Sequence, residues 1–252
     1  MNDSTKRLVS KVPEITLVFW LIKIAATTLG ETGGDAVSMS MNLGYLVGTG
    51  IFAAVFVLAV TAQITAKRFH PVLYWATIIA TTTVGTTLAD FADRSLGIGY
   101  AGGATLLFVL LISSFAIWYR SLGSISVDSI SSPRSEMFYW LTIMFSQTLG
   151  TALGDWTADS AGLGYEGAAM VFGALLLIVV GGYFWTRVSH TLLFWAAFIL
   201  TRPLGAVVGD FLDKPISAGG LALDRYAASL LLVTFIAACM MTFRQRAAVR
   251  AH

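Results

Sequence analysis

One short phrase occurs four times in this chain and determines its organisation. In each copy a Gly follows a Trp by ten positions, and an Asp follows that Gly by five. The copies read WLIKIAATTLGETGGD, WATIIATTTVGTTLAD, WLTIMFSQTLGTALGD and WAAFILTRPLGAVVGD, and they begin at Trp20, Trp75, Trp140 and Trp195. They start 55, 65 and 55 residues apart, so the two halves of the chain are related by a constant shift of 120. This self-similarity indicates an internal duplication, in two rounds.

The repeats lie in strongly apolar sequence. Apolar residues make up 56% of the chain and charged residues only 12%, whereas soluble domains carry about 25% charged residues. A helix needs roughly 20 apolar residues to cross a bilayer. Eight segments meet this requirement: residues 14–36, 43–66, 71–92, 97–119, 136–158, 163–186, 190–212 and 219–243. We therefore predict an all-α polytopic membrane protein with eight transmembrane helices, built from four parallel two-helix repeats in a lipid bilayer.

The basic residues predict how the helices are oriented. If every segment spans, eleven basic residues fall on one side and three on the other. The first group is Lys6, Arg7, Lys11, Lys67, Arg68, Arg120, Arg134, Arg187, Arg244, Arg246 and Arg250, and the second is Arg94, Lys214 and Arg225. Loops rich in Lys and Arg stay in the cytoplasm. Both termini are therefore predicted to be cytoplasmic.

The chain is predicted to consist of two halves joined by a linker, with a short segment at each end. The predicted parts are a cytoplasmic segment over 1–12, a first half over 13–119, a flexible Ser-rich cytoplasmic linker over 120–135, a second half over 136–243 and a basic cytoplasmic tail over 244–252. The only cysteine, Cys239, excludes an internal disulfide and a Cys-based metal site. We expect no covalent cofactor and no nucleic-acid partner. The sequence leaves open whether the protein forms a homo-oligomer.

The repeated acid is the first candidate for function. Each Asp lies about 22 Å along its helix from the Trp, so the four are expected to converge in the outer half of the bundle. They are Asp35, Asp90, Asp155 and Asp210. Helix ends in a wet headgroup layer are the simpler explanation, but Glu31 lies a full turn deeper and is poorly explained by it. Carboxylate and hydroxyl oxygens suit hard cations such as Mg²⁺, Mn²⁺ and Ca²⁺, so Glu31 and the four Asp residues are candidate metal ligands.

Other polar residues share these helices. Thr28, Glu31 and Asp35 stand at i, i+3 and i+7 and hence on one face. Lys23 and Arg202 are intramembrane bases, which normally pair with acids. They form either a structural ion pair or a counter-ion that competes with a substrate cation or carries a proton. The candidate substrate or coupling residues are Lys23, Thr27, Thr28, Thr83, Gln147, Thr148 and Arg202.

Two further features of the phrase predict packing. Small residues stand four apart directly before each Asp, at Gly30/Gly34, Gly85/Ala89, Gly150/Gly154 and Gly205/Gly209. Such pairs allow helix backbones to approach closely in lipid. The repeated Trp is expected to anchor each first helix in the membrane interface, where Trp is enriched.

Four tandem two-helix units with Trp, Gly and Asp at these spacings resemble a bacterial family known as repeats of unknown function. The resemblance covers nearly all of residues 14–243. It implies an integral protein of the bacterial inner membrane, and it implies no substrate.

The pattern therefore favours a transporter, not an enzyme. The leading hypothesis is a transporter of a cation, a divalent metal such as Mn²⁺ being the substrate, because repeated helices, intramembrane acids and bases and a Pro-interrupted helix recur in transporters. The alternatives are a transporter of a small organic solute and a non-transporting scaffold or sensor. The Gly-x-Gly-Asp motif of intramembrane aspartyl proteases is absent, since Thr32, Ala152 and Val207 stand where its first Gly would be. Lys23 is the only candidate for a retinal Schiff base, and its place in the first helix matches no pigment.

Overall fold

The computed structural model describes residues 9–249, and this part of the chain is almost entirely helical. Its α-helices are α1 (Leu17–Asp35), α2 (Gly44–Thr65), α3 (Pro71–Asp90), α4 (Tyr100–Leu122), α5 (Pro133–Asp155), α6 (Gly164–Trp185), α7 (His190–Asp213) and α8 (Arg225–Thr242). Six of them, all except α1 and α5, are long and apolar enough to cross a membrane. The prediction of an all-helical protein is thus confirmed, and these six helices have the length and composition of membrane spans. The predicted eighth segment began at 219, but Asp224 caps α8 by accepting a hydrogen bond from the Ala227 amide, so the helix begins later.

The helices form two concentric rings. Helices α1, α3, α5 and α7 make a closed inner ring, in which each contacts the two beside it. The outer helices pack on this ring in a fixed order: α2 on α3, α4 on α5, α6 on α7 and α8 on α1. Each outer helix therefore packs mainly on the inner helix of the next repeat, not on that of its own. Large exposed apolar side chains cover the outer helices, as at Leu58 and Leu177.

The inner helices change their winding beside the repeated Asp. After Asp35, Asp90 and Asp155 the chain continues for five residues as a π-helical turn, over Ala36–Ser40, Phe91–Ser95 and Trp156–Ser160. In the fourth repeat α7 instead runs on past Asp210 to Asp213, and a 3₁₀ turn follows at Ile216–Ala218. Single π-helical turns occur frequently at functional sites.

Aromatic side chains close the other end of the inner ring, which we call the aromatic end. Trp75, Trp140 and Trp195 are 1–3% exposed and pack in one cluster with Tyr74 and Tyr139. The two tyrosine hydroxyls are 2.6 Å apart. The expectation of interface anchors is wrong for these three tryptophans. They lie one to two turns inside helices of the inner ring, and their side chains pack against protein and not lipid.

Terminal segments and the linker cover the aromatic end. Strand β1 (Val9–Pro13) pairs antiparallel with β2 (Ala247–Val249), a short sheet that the sequence analysis did not predict. The linker was expected to be flexible over 120–135. Instead α4 extends to Leu122 and α5 begins at Pro133, and between them Val127 and Ile130 are buried. The Ser10 hydroxyl donates to the Val127 carbonyl at 2.9 Å, which joins the linker to β1. The predicted cytoplasmic charges Lys6, Arg7 and Arg250 lie outside the described residues.

Candidate functional site

Four layers of side chains follow one another along the interior of the inner ring. Each layer takes one residue from α1, α3, α5 and α7, at 3, 7, 11 and 15 positions after the Trp of the repeat. Residues spaced by four share a helix face, and every member is at most 3% exposed. From the aromatic end these are the lysine layer (Lys23, Ile78, Ile143, Phe198), the donor layer (Thr27, Thr82, Gln147, Arg202), the threonine layer (Glu31, Thr86, Thr151, Ala206) and the aspartate layer (Asp35, Asp90, Asp155, Asp210).

Two bases divide the aspartate layer into two pairs of acids. Arg94 serves the first pair: its Nε lies 2.9 Å from Asp90 Oδ1, and its Nη2 lies 3.4 Å from Asp155 Oδ2. Lys214 serves the second pair, and it stands 120 residues after Arg94. Each base follows the Asp of its own repeat by four positions, so one helical turn brings it beside that carboxylate. The duplication of the chain has therefore preserved a bridging base in repeats two and four.

Lys214 and Arg225 surround the second pair. Lys214 Nζ forms a salt bridge with Asp35 and lies 3.0 Å from Asp210 Oδ1. Burial alone would lower the pKa of Lys214, but the carboxylates of Asp210 and Asp35 outweigh it and raise that pKa above its usual value. Arg225 Nε binds Asp213 Oδ2 at 2.9 Å, and its Nη2 lies 3.8 Å from Asp35 Oδ2. Both bases therefore stay protonated counter-ions of these acids at neutral pH.

A single guanidinium group joins the threonine layer together. Arg202 reaches from the donor layer, and its Nη2 lies 3.0 Å from Glu31 Oε2. The same nitrogen donates to Thr86 Oγ1 at 2.5 Å and to the Thr151 hydroxyl. Thr86 also donates to Glu31 Oε2 at 3.2 Å. This network is fully buried and makes Arg202 the partner of Glu31, the acid that a simple helix-end explanation did not account for.

The threonines that the sequence analysis singled out form hydrogen bonds with backbone carbonyls. The hydroxyls of Thr28, Thr83 and Thr148 each donate to the carbonyl four residues earlier in the same helix, at 3.1, 2.8 and 2.9 Å. Thr27 donates across to the Thr201 carbonyl at 3.1 Å. The threonines that meet the charged groups are Thr86 and Thr151, which the sequence analysis missed. The sequence did contain a signal for them, because Thr86 and Thr151 stand, like Glu31, eleven positions after the Trp of their repeat.

Carboxylate oxygens converge at two places among the described residues. Glu31, Asp35 and Asp90 each offer an oxygen within 4.8 Å of the others, and Asp35, Asp210 and Asp213 form a second such group. Of the five predicted metal ligands, only Asp155 belongs to neither group. Asp35 Oδ1 and Asp155 Oδ1 are buried and have no hydrogen-bond partner within residues 9–249. Carboxylates at this separation are a donor set that fits a hard cation.

The second predicted base occupies different surroundings. Lys23 Nζ lies 4.2 Å from the centroid of the Phe198 ring in the lysine layer. Within residues 9–249 it forms no ion pair or hydrogen bond. The two bases that sequence reasoning left as equivalent are thus distinct: Arg202 is paired with an acid, while Lys23 rests against an aromatic ring.

The paired small residues set the spacing of the inner ring, as predicted. A Cβ at Gly85 would lie 3.0 Å from the Thr148 nitrogen, and one at Gly154 would lie 3.3 Å from the Pro203 carbonyl oxygen. The other pairs face the next inner helix around the ring in the same manner, with Gly30 against Thr82. Close backbone approach of this kind is what small residues permit in membrane helices. It also places the four layers of polar side chains within reach of one another.

The four repeats of the structure correspond to four matches with one family model, described as Repeat of Unknown Function (DUF347). The matched residues are 18–69, 73–124, 138–189 and 193–246. The chain belongs to this family. Each DUF347 match contains one inner helix and the outer helix that follows it. No curated protein and no solved structure matches the chain.

Proposed function

We propose that all eight helices cross the inner membrane of a bacterium, with both termini in the cytoplasm. The distribution of free positive charge supports this orientation. At the aspartate layer Arg94, Lys214 and Arg225 are all engaged by carboxylates. At the aromatic end, by contrast, Lys67 and Arg68 are exposed. Loops with free Lys and Arg are retained on the cytoplasmic side, so the aspartate layer lies toward the outer surface.

The function proposed for this bundle is transport of a cation, a divalent metal such as Mn²⁺, through the aspartate layer. The observation that carries the proposal is the convergence of Glu31, Asp35 and Asp90 within 4.8 Å inside a closed ring of helices. Buried acids of this kind are costly in a membrane and mark ion pathways. No covalent step is required, and the acids act as ligands, not as catalytic groups.

Basic side chains beside the acids of the aspartate layer can be exchanged for an arriving cation. The side chain of Arg94 is 35% exposed, while its partners Asp90 and Asp155 are almost fully buried. An arriving cation replaces Arg94 at these carboxylates, and the guanidinium moves into solvent. Arg202, two layers below, repels a cation that has not displaced it from Glu31. Passage therefore requires a second arrangement of the inner helices, as alternating access does in transporters with repeated folds.

Calorimetric titration of the purified protein with Mn²⁺, Mg²⁺ and Zn²⁺ tests the proposal. We expect Asp90→Asn to weaken binding of the preferred ion by at least about tenfold, or 1.4 kcal/mol, because it removes one charge and keeps the shape. Asp224→Asn is the matched control, since Asp224 is exposed and Asn caps a helix as well as Asp does. Binding should strengthen as pH rises, because the ligands must be deprotonated.

Two results would remove the cation proposal. Either no divalent ion binds at any pH, or Asp90→Asn binds as tightly as the parent. In those cases transport of a small organic solute and a scaffold or sensor role become the remaining functions, and uptake assays in vesicles separate them.

A further inference from the structure

Below the threonine layer, several buried polar atoms have no hydrogen-bond partner among the described residues. They are Lys23 Nζ, Thr82 Oγ1, Gln147 Oε1, Gln147 Nε2, Arg202 Nε and Arg202 Nη1. All four residues are 0% exposed. A buried donor without an acceptor destabilises the folded state, and more so when it is charged. Unmet donors at neighbouring levels of the four inner helices indicate a ligand between these helices.

These atoms share the interior of the inner ring. Thr82, Gln147 and Arg202 occupy equivalent positions on α3, α5 and α7, and Lys23 lies one turn below them on α1. Lys23 Nζ is 4.2 Å from the Phe198 ring centroid, and Phe198 precedes Arg202 by one turn of α7. A Cβ at Gly85 would lie 3.2 Å from the Gln147 Cβ, which shows how closely α3 and α5 approach at this level.

The charges of this region do not balance. Lys23 and Arg202 bring two basic groups, and within residues 9–249 the only acid paired with either is Glu31, through Arg202 Nη2. The remaining unmet atoms are donors or hydroxyls, apart from the single acceptor Gln147 Oε1. Intramembrane bases are normally neutralised by a partner. The chemistry that satisfies this set is a compact anion that accepts several hydrogen bonds.

We infer that the donor layer binds a small monovalent anion such as chloride, held by Lys23 Nζ, Gln147 Nε2 and the free Nε and Nη1 of Arg202. This site is separate from the aspartate layer and goes beyond the proposed cation transport. A bound anion there neutralises Lys23 and fixes the guanidinium group of Arg202, whose other nitrogen holds Glu31. The anion thereby stabilises the arrangement in which the threonine layer is closed.

Binding of radiolabelled chloride to the purified protein tests the site, with divalent metals removed by chelator. We expect saturable binding to the parent and displacement by bromide and nitrate but not by bulky gluconate. The temperature of unfolding should rise when chloride replaces gluconate at constant ionic strength, because a ligand of the folded state alone stabilises it. Lys67→Met, which removes an exposed lysine at the aromatic end, should behave as the parent does.

Two variants at the site should lose both effects. Lys23→Met removes the charge and keeps the length of the side chain. Gln147→Glu keeps the shape and gives Lys23 an internal carboxylate, so it should fold even if Lys23→Met does not and should bind no chloride. The inference is overturned if the folded parent binds no chloride, or if Gln147→Glu binds it as the parent does. Because metal is absent throughout, these outcomes are independent of the cation proposal.

Discussion

At the scale of single residues, the arrangement of counter-ions is the main finding. The sequence predicted the column of acids correctly, because the Asp recurs at a fixed distance from the Trp in every repeat. It also predicted that the intramembrane bases Lys23 and Arg202 would pair with acids; both are fully buried, and within residues 9–249 only Arg202 has an acidic partner. It did not predict that Arg94 and Lys214 bridge the acids, since both were counted as charges of the outer loops. A spacing of four residues places each base beside the Asp of its own repeat, but only the folded ring brings it to the Asp of a neighbouring repeat.

Removal of Arg94 should tighten metal binding. In the proposed transport cycle this guanidinium competes with the cation for Asp90 and Asp155, and Arg94→Gln removes the competing charge while it keeps a polar side chain. We expect the affinity for the preferred divalent ion to rise by about tenfold, equivalent to 1.4 kcal/mol, in calorimetric titration. Arg187→Gln, at the aromatic end and exposed, is the control. Weaker metal binding in Arg94→Gln would show that Arg94 organises the acids instead of competing for them.

At the scale of helices, the sequence predicted where helices begin better than it predicted which helices pack together. Seven of the eight apolar segments begin within three residues of a helix in the structure. Hydropathy does not say which neighbour a given side chain faces, and this is why the tryptophans were assigned to the lipid interface. Nor does a tandem repeat reveal that α2 packs on α3 and α8 on α1. That information lies in side-chain contacts between repeats, which periodicity alone does not contain.

The contact between α5 and α7 should be intolerant of a single methyl group. A Cβ added at Gly150 would lie 2.6 Å from the Arg202 Cβ and 3.0 Å from the Pro203 Cδ. Gly150→Ala therefore forces the helices apart and should lower the temperature of unfolding in detergent. Gly33→Ala is the matched control, because nothing lies within 4 Å of its Cβ. There Ala should be neutral or stabilising, by up to about 1 kcal/mol from helix propensity. Equal melting of both variants would contradict the close packing of α5 on α7.

At the scale of the whole molecule, the two ends of the bundle differ in kind. The aromatic end is closed by packed rings, by the β1–β2 pair and by the buried linker residues Val127 and Ile130. Lys11 strengthens this closure through a salt bridge of 2.6 Å with Glu136. At the opposite end charged side chains meet in the aspartate layer, and Arg94 among them is partly exposed. For the proposed transport, the partly exposed Arg94 marks the side from which a cation would reach the buried acids.

The proposed orientation predicts which end faces the cytoplasm. Single cysteines at Arg68 and Ile216, both exposed and at opposite ends of the bundle, can be placed in a Cys239→Ser chain. In intact cells a membrane-impermeant maleimide should label Ile216→Cys and leave Arg68→Cys unlabelled until the membrane is permeabilised. These sites avoid the linker, where the Ile125 carbonyl accepts a hydrogen bond from Trp195 and an inserted reporter would disturb the fold. Labelling of both positions from outside would contradict the eight-helix arrangement. The reverse pattern would keep the eight helices but place the aspartate layer at the cytoplasmic surface, so that the proposed cation would enter from inside the cell.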